Sequence, residues 1–137
     1  MRPISFVPIL AGIALLGLTA FVGTARPTIE LSYSANCKNV DGWKESLMAE
    51  GFDIELSPVN ELTLSEQQAM MSLPEPMRDC KIASVAGYHV IGDVASGDIV
   101  TLLRRKPLDV VALAQDKATL ETVALHYDGT VERRKAQ

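Results

Sequence analysis

Between Thr28 and Ser57 the hydrophobic pattern changes period twice. Thr28 to Tyr33 alternates and carries β-branched and aromatic side chains, which reads as a strand. A polar loop from Ser34 to Val40 follows and contains Cys37. Asp41 is a good N-cap for a helix to about Glu50, since Trp43, Leu47 and Met48 share one face and Gly51 offers a left-handed stop. Phe52 to Ser57 alternates again, with Phe52, Ile54 and Leu56 in phase. A strand, a helix and a strand within about thirty residues form a βαβ unit, and the right-handed crossover rule makes the strands parallel neighbours in one sheet.

The rest of the domain reads as an antiparallel half. Thr63-Leu64-Ser65-Glu66 has the form of a capping box, which predicts a helix from Thr63 to about Ser72, with Pro74 and Pro76 forbidding continuation. Met77-Arg78-Asp79-Cys80 is a second cysteine-bearing loop. Ile82 to Val85 and Tyr88 to Ile91 flank Ala86-Gly87 as a tight hairpin. Ser96 caps a further helix, where Asp98 in the first turn and Arg104, Arg105 and Lys106 in the last complement the macrodipole; Pro107 ends it. Thr122 to Tyr127 and Thr130 to Arg133 form a last strand pair turning at Asp128-Gly129. The order β-α-β-α-β-β-α with a C-terminal β-hairpin is an α/β, thioredoxin-like plan. That plan sets the loop after the first strand beside the loop before the third, at the start of the first helix, and those loops hold Cys37 and Cys80.

Ahead of this domain, Pro3 to Ala25 contains no ionisable side chain and is bracketed by Arg2 and Arg26. As a helix, about 20 such residues would cross a hydrocarbon core of roughly 30 Å. Gly23 and Ala25 are small residues of the kind a signal peptidase accepts, and Pro8 shortens the apolar run to signal-peptide size. An uncleaved anchor is the leading expectation and a cleaved secretory signal the alternative. Residues 1–26 are therefore read as a transmembrane or signal helix. Residues 27–137 are read as a domain held at the inner membrane in the periplasm, an oxidising compartment, with the membrane and other membrane proteins as partners. The net charge of −4 and the lack of basic stretches interleaved with aromatics exclude a nucleic-acid binder. Two cysteines and two histidines are too few for a zinc finger.

A thiol at a helix N-terminus is stabilised as thiolate. Three residues after Cys37 stands Val40, so the CxxC of ordinary disulfide exchange is absent. A structural Cys37–Cys80 disulfide is the leading expectation; a metal or redox role, or two unpaired thiols, are the alternatives. Closing a loop of about 43 residues would stabilise by about 4 kcal/mol on loop entropy alone. His89 and His126 fall on predicted strands and read as packing or surface residues. Met48, Met70, Met71 and Met77 suggest a thioether site, but Met70 and Met71 lie within a helical pattern that favours core packing. Glu45, Glu50, Asp53, Glu55, Glu61 and Glu66 are scattered over separate elements and read as a solvated face. The sequence contains no Gly-rich phosphate loop, HExxH or Gly-x-Ser-x-Gly, and no recognisable catalytic constellation.

From Leu31 to about Asp109 the chain resembles the CopG-like periplasmic metal-binding family, thioredoxin-fold domains linked to copper resistance. Cys37 and Trp43 keep the family's six-residue spacing, and Gly51-Phe52 matches the opening of its second strand. Met77-Arg78-Asp79-Cys80-Lys81, Gly87-Tyr88-His89-Val90-Ile91-Gly92, Asp98-Ile99-Val100-Thr101-Leu102-Leu103 and Lys106-Pro107-Leu108-Asp109 look like later family segments in the same order. The family's Cys-Gly-Cys-Cys cluster is reduced here to Cys37 alone, with Lys38, Asn39 and Val40 in place of its other members. Lys81 stands where the family has a His after the later Cys. Ala112 to Leu120 replaces its Met- and Gly-rich loop. No cofactor is the leading expectation; the alternative that the resemblance implies is Cu(I) held by Cys37 and Cys80 as the surviving metal ligands, since two thiolates suit a linear soft ion. The expected function is a non-catalytic, membrane-anchored accessory subunit of a membrane-associated assembly. The alternative is residual Cu(I) binding or thiol redox chemistry at Cys37 and Cys80.

Overall fold

The computed structural model describes residues 26–134, and the segment read as anchor or signal lies outside them. The elements are β1 (Ile29–Tyr33), α1 (Val40–Ala49), β2 (Ile54–Pro58), α2 (Glu61–Met70), a 3-10 turn (Glu75–Met77), β3 (Lys81–Val85), β4 (Tyr88–Ile91), α3 (Ser96–Arg105), β5 (Val110–Gln115), β6 (Thr122–His126) and β7 (Val131–Arg134). One sheet takes all seven strands in the order β2-β1-β3-β4-β5-β6-β7. β1 and β2 are parallel, as the βαβ reading requires. β3 runs antiparallel to β1, and β4 antiparallel to β3. The Ala86-Gly87 turn has positive φ at both residues, 49° and 86°, the form that matches the twist of a two-residue hairpin. Among the described residues no helix is long and apolar enough to cross a membrane.

The sequence reading passes over β5. Val110–Gln115 is a nearly continuous apolar run, because the strand is central, parallel to β4 on one side and antiparallel to β6 on the other. Ala112, Leu113 and Ala114 are fully buried, so neither face supplies the polar alternation that marks a half-exposed strand. Ala112 to Leu120 is thus not a replacement loop, and the C-terminal hairpin is no appendage: β5 carries β6 and β7 into the same sheet. β4, α3 and β5 make a second parallel crossover.

Two cores sit on the two faces of the sheet. Trp43 and Leu47 of α1 and Ile99 and Leu102 of α3 pack on Leu31, Ala83, Val90 and Leu113. On the other face Leu64, Leu73 and Met77 cover Ile82, Ile91, Ala114 and Val123. Trp43 Nε1 donates to Val94 O at 2.9 Å, which pins α1 to the turn before α3. Buried Asp98 accepts from Thr122 Oγ1 at 2.6 Å and ties α3 to β6.

Helix starts differ from expectation in each case. α2 begins at Glu61 because Asn60, with extended backbone, accepts from Thr63 N at 2.7 Å; Asn60 is the cap and Thr63 lies inside the helix. α1 is preceded by Asn39 in the left-handed region (φ 62°), with Asp41 in its first turn. Ser96 is the first residue of α3 rather than its cap. Met70 is 85% exposed and Met71 partly buried, because α2 buries only the narrow stripe of Leu64 and Gln68. Core packing therefore holds for Met77 and fails for Met70; Met48 is also exposed.

Candidate metal and redox site

Register places the site at one end of the sheet, where Tyr33 lies opposite Lys81, Ile82 opposite Ile91, and Gln115 opposite Thr122. Beyond Tyr33 the chain turns, with Cys37 N donating to Ser34 O at 3.0 Å. Cys80 immediately precedes β3, and its carbonyl accepts from Ser34 N at 3.2 Å. The two loops meet as expected. Cys37 and Cys80 form a disulfide across 43 residues, with Cα atoms 5.5 Å apart.

A buried lysine supports the bridge. The Lys81 side chain is only 4% exposed, and its ammonium lies 3.3 Å from Asp79 Oδ1 and 3.1 Å from Asp93 Oδ1. It also donates to Lys38 O at 3.0 Å. Those two carboxylate oxygens are buried and accept no hydrogen bond among the described residues, so the ion pairs with this ammonium are what compensates them. Asp93 Oδ2 accepts from Asn39 Nδ2 at 3.1 Å, extending the network to the start of α1. Buried Gln68 fixes the Asp79 backbone, accepting from its N–H at 2.8 Å and donating to its carbonyl at 2.9 Å. Gly92, at φ 81°, lies so close to Asp79 that a Cβ there would stand 3.0 Å from Asp79 Oδ2.

Sequence reasoning reached Cys37 and Cys80 but not Lys81, Asp79, Asp93, Asn39 or Gln68 as a group. One signal was present. Lys81 is in phase with Ala83 and Val85, both buried, so a lysine occupies a core-facing position of β3. His89 sits apart on β4, its Nδ1 3.4 Å from Ser84 Oγ. His126 lies between Asp109 at 3.1 Å and Glu132 at 3.2 Å, at the opposite end of the sheet from the cysteines. The six scattered acids are exposed, as expected of a solvated face.

An open cavity of about 660 Å³ adjoins the disulfide, with Asn36, Asn39, Gln68, Arg78, Asp79 and Lys117 among its walls. Its far wall is fixed by the β5–β6 turn, where Lys117 N donates to Pro76 O at 2.9 Å. Asp116 in that turn accepts from Arg133 Nη1 at 2.8 Å and from Ala118 N at 2.9 Å. The Arg133 hydrogen bond, with the Ala118 N–H, holds the Asp116 carboxyl below the usual aspartate range.

The donor set decides the chemistry. As a disulfide, the sulfurs are not thiolate ligands. Reduced, Cys37, Cys80 and Asp79 would present two sulfurs and a carboxylate oxygen within 4.8 Å of one another. Two thiolates fit one linear Cu(I). Asp79 makes a poor third ligand, because its inner oxygen already faces the Lys81 ammonium. Asn39, Val40 and Lys81 offer no thiolate or imidazole, so the residues present do not fit a multinuclear cluster.

The fold and site together define a mixed α/β domain with one seven-stranded sheet, whose two cysteine loops are bridged at the head of its first helix. No protein-family model and no curated protein matches the sequence. Among solved structures the chain is similar to Copper resistance protein copG, Form 2, with a TM-score of 0.66 and 23% identity over 79% of this chain and 95% of that one. Form 1 of the same protein aligns with a TM-score of 0.63 and 21% identity, over 81% of this chain and 99% of that one. The sequence motifs and the three-dimensional likeness lead to the same fold, while most residues differ.

Proposed function

We propose that this chain is a divergent CopG-like accessory protein of copper handling, anchored by its N-terminal segment with the domain in the periplasm. The observation that carries this reading is the meeting of Cys37 and Cys80 in a fold shared with a copper resistance protein. In the oxidised state the bridge is structural. A dithiol reductant supplies two electrons and two protons to open it, and itself becomes a disulfide. The two thiols then bind one Cu(I) as thiolates, releasing their protons. Soft sulfur selects the soft ion, and among the described residues no other soft donor lines the site, which limits it to one.

The test is Cu(I) titration of the reduced full chain under a competing chelator. One equivalent bound, and none in Cys37→Ser or Cys80→Ser, is the expected result. A reduced wild-type chain that takes up no Cu(I) refutes the copper reading. A second reading, an interaction subunit without metal chemistry, is favoured by the bridged sulfurs and the reduced donor set. It expects an oxidised pair in protein taken directly from cells and a specific membrane-protein partner in gentle co-purification. A chain that stays alone in mild detergent counts against it.

A further inference from the structure

The end of the sheet opposite the disulfide forms a base, where Ile29 pairs with Ile54, Val85 with Tyr88, and Val110 with His126. Strands of about five residues at about 3.3 Å each set the two ends roughly 17 Å apart. The described chain begins at this base. Arg26 donates to Glu50 O, and its guanidinium lies 5.3 Å from the centroid of the Phe52 ring. Both contacts fasten the start of the domain below α1.

α3 runs toward the same base. Its last residues, Arg104 and Arg105, are followed by Lys106, Pro107 and Leu108. None of these three cations makes an ion pair among the described residues. Leu108 is 93% exposed, Met70 85% and Tyr127 70%, and all three lie at this end. Basic residues at a helix C-terminus also answer the macrodipole. That accounts for the charges and leaves the exposed apolar side chains beside them unexplained. Acids share the base: Asp109 faces His126 at 3.1 Å and Asp128 turns onto Thr130 at 2.7 Å, while Glu50 and Asp53 lie exposed beside Arg26 and the start of β1. Long Arg and Lys stems reach beyond these short carboxylates.

We propose that the base is a membrane-facing surface that docks on anionic phospholipid headgroups. Arg104, Arg105 and Lys106 contact phosphates, while Leu108 and Tyr127 enter the interfacial layer. The inference rests on the anchored reading above: Arg26 directly follows the uncharged stretch Pro3 to Ala25, so a spanning anchor delivers this end to the bilayer. The cysteine end then points away from the membrane. Juxtamembrane basic clusters are drawn to anionic leaflets in this way, and aromatic side chains settle at the interface.

The test uses the full chain in vesicles of phosphatidylethanolamine and brominated phosphatidylglycerol. Leu108→Trp places an emitter at the base; Leu62→Trp, 69% exposed on the first turn of α2, places one at the cysteine end. The emission that Leu108→Trp adds over the buried Trp43 should be quenched at least about twofold and that added by Leu62→Trp should not, with the quenching lost in Arg104→Gln/Arg105→Gln/Lys106→Gln and in brominated phosphatidylcholine. A chain that floats with the vesicles but shows no quenching at Leu108→Trp overturns docking and leaves anchoring intact. Equal quenching at both positions, or quenching indifferent to lipid charge, also overturns it. A blue shift in detergent alone that grows with protein concentration assigns the surface to a second copy instead. A chain that does not float overturns the anchored reading and this inference with it.

Discussion

Lys81→Met is the most informative single perturbation, because the methionine fills most of the lysine volume while removing the charge and its N–H donors. In the oxidised chain the ammonium is the partner of Asp79 Oδ1, Asp93 Oδ1 and Lys38 O. Deleting one member of a buried charge cluster typically costs 3–5 kcal/mol, since the remaining charges stay desolvated and unpaired. Asp79 is 16% exposed and Asp93 31%, so water reaches them in part and the low end applies, about 3 kcal/mol. With a urea slope of about 1.5–2 kcal/mol/M, the midpoint should fall by roughly 1.5–2 M. Trp43, the only tryptophan, is buried and reports unfolding by fluorescence. The measurement belongs under non-reducing conditions, so that the disulfide stays intact and a two-state treatment holds. Adding Asp79→Asn and Asp93→Asn to the Lys81→Met chain should recover part of the loss, because the stranded carboxylates are then neutral. A midpoint shift below about 0.5 M, or a triple variant no better than the single one, refutes the reasoning.

Three further outcomes follow from the structure. Asp116 has its pKa lowered, chiefly by Arg133, so its contribution to stability is present above the ordinary aspartate range and lost as pH falls through the folded value. Arg133→Ala should therefore be less stable than wild type at pH 7, with the gap in urea midpoints closing as pH falls below the ordinary aspartate range; a gap independent of pH contradicts this. Gly92→Ala forces a side chain into φ 81° and against Asp79 Oδ2, and should lower Tm by roughly 5–15 °C in differential scanning calorimetry. Thr122→Val leaves buried Asp98 without its hydroxyl donor and should cost about 1–3 kcal/mol by urea titration, whereas an unchanged midpoint would show that Asp98 finds another partner.

The βαβ half was legible because each element repeats its own period: alternation in β1, a shared face in α1, and a glycine stop between them and β2. The cysteine juxtaposition followed from that order, without any local motif linking residues 37 and 80. β5 was not legible, since a strand buried on both faces shows an apolar run and no alternation. The α2 start was misplaced because a Thr-x-x-Glu pattern competes with an asparagine three residues earlier, and only backbone geometry decides which one caps. Met70 misled for a related reason, as helical phase gives a side chain's direction but not how much sheet lies beneath it. The Lys81 network is the deepest omission. A lysine in phase with Ala83 and Val85 was visible in the sequence, yet its two aspartates come from different loops and converge only in the folded chain.

The disulfide and the Lys81 contact run in parallel. Sulfur joins positions 37 and 80, while the ammonium joins the next residue on each side, 38 and 81. Both close rings of the same 43-residue span, so cutting one leaves the other holding the same stretch of chain. With the bridge opened, the Lys81 hydrogen bond would still draw the two loops together. The two thiols would keep a high effective concentration, and re-closure would proceed as an intramolecular event rather than a search.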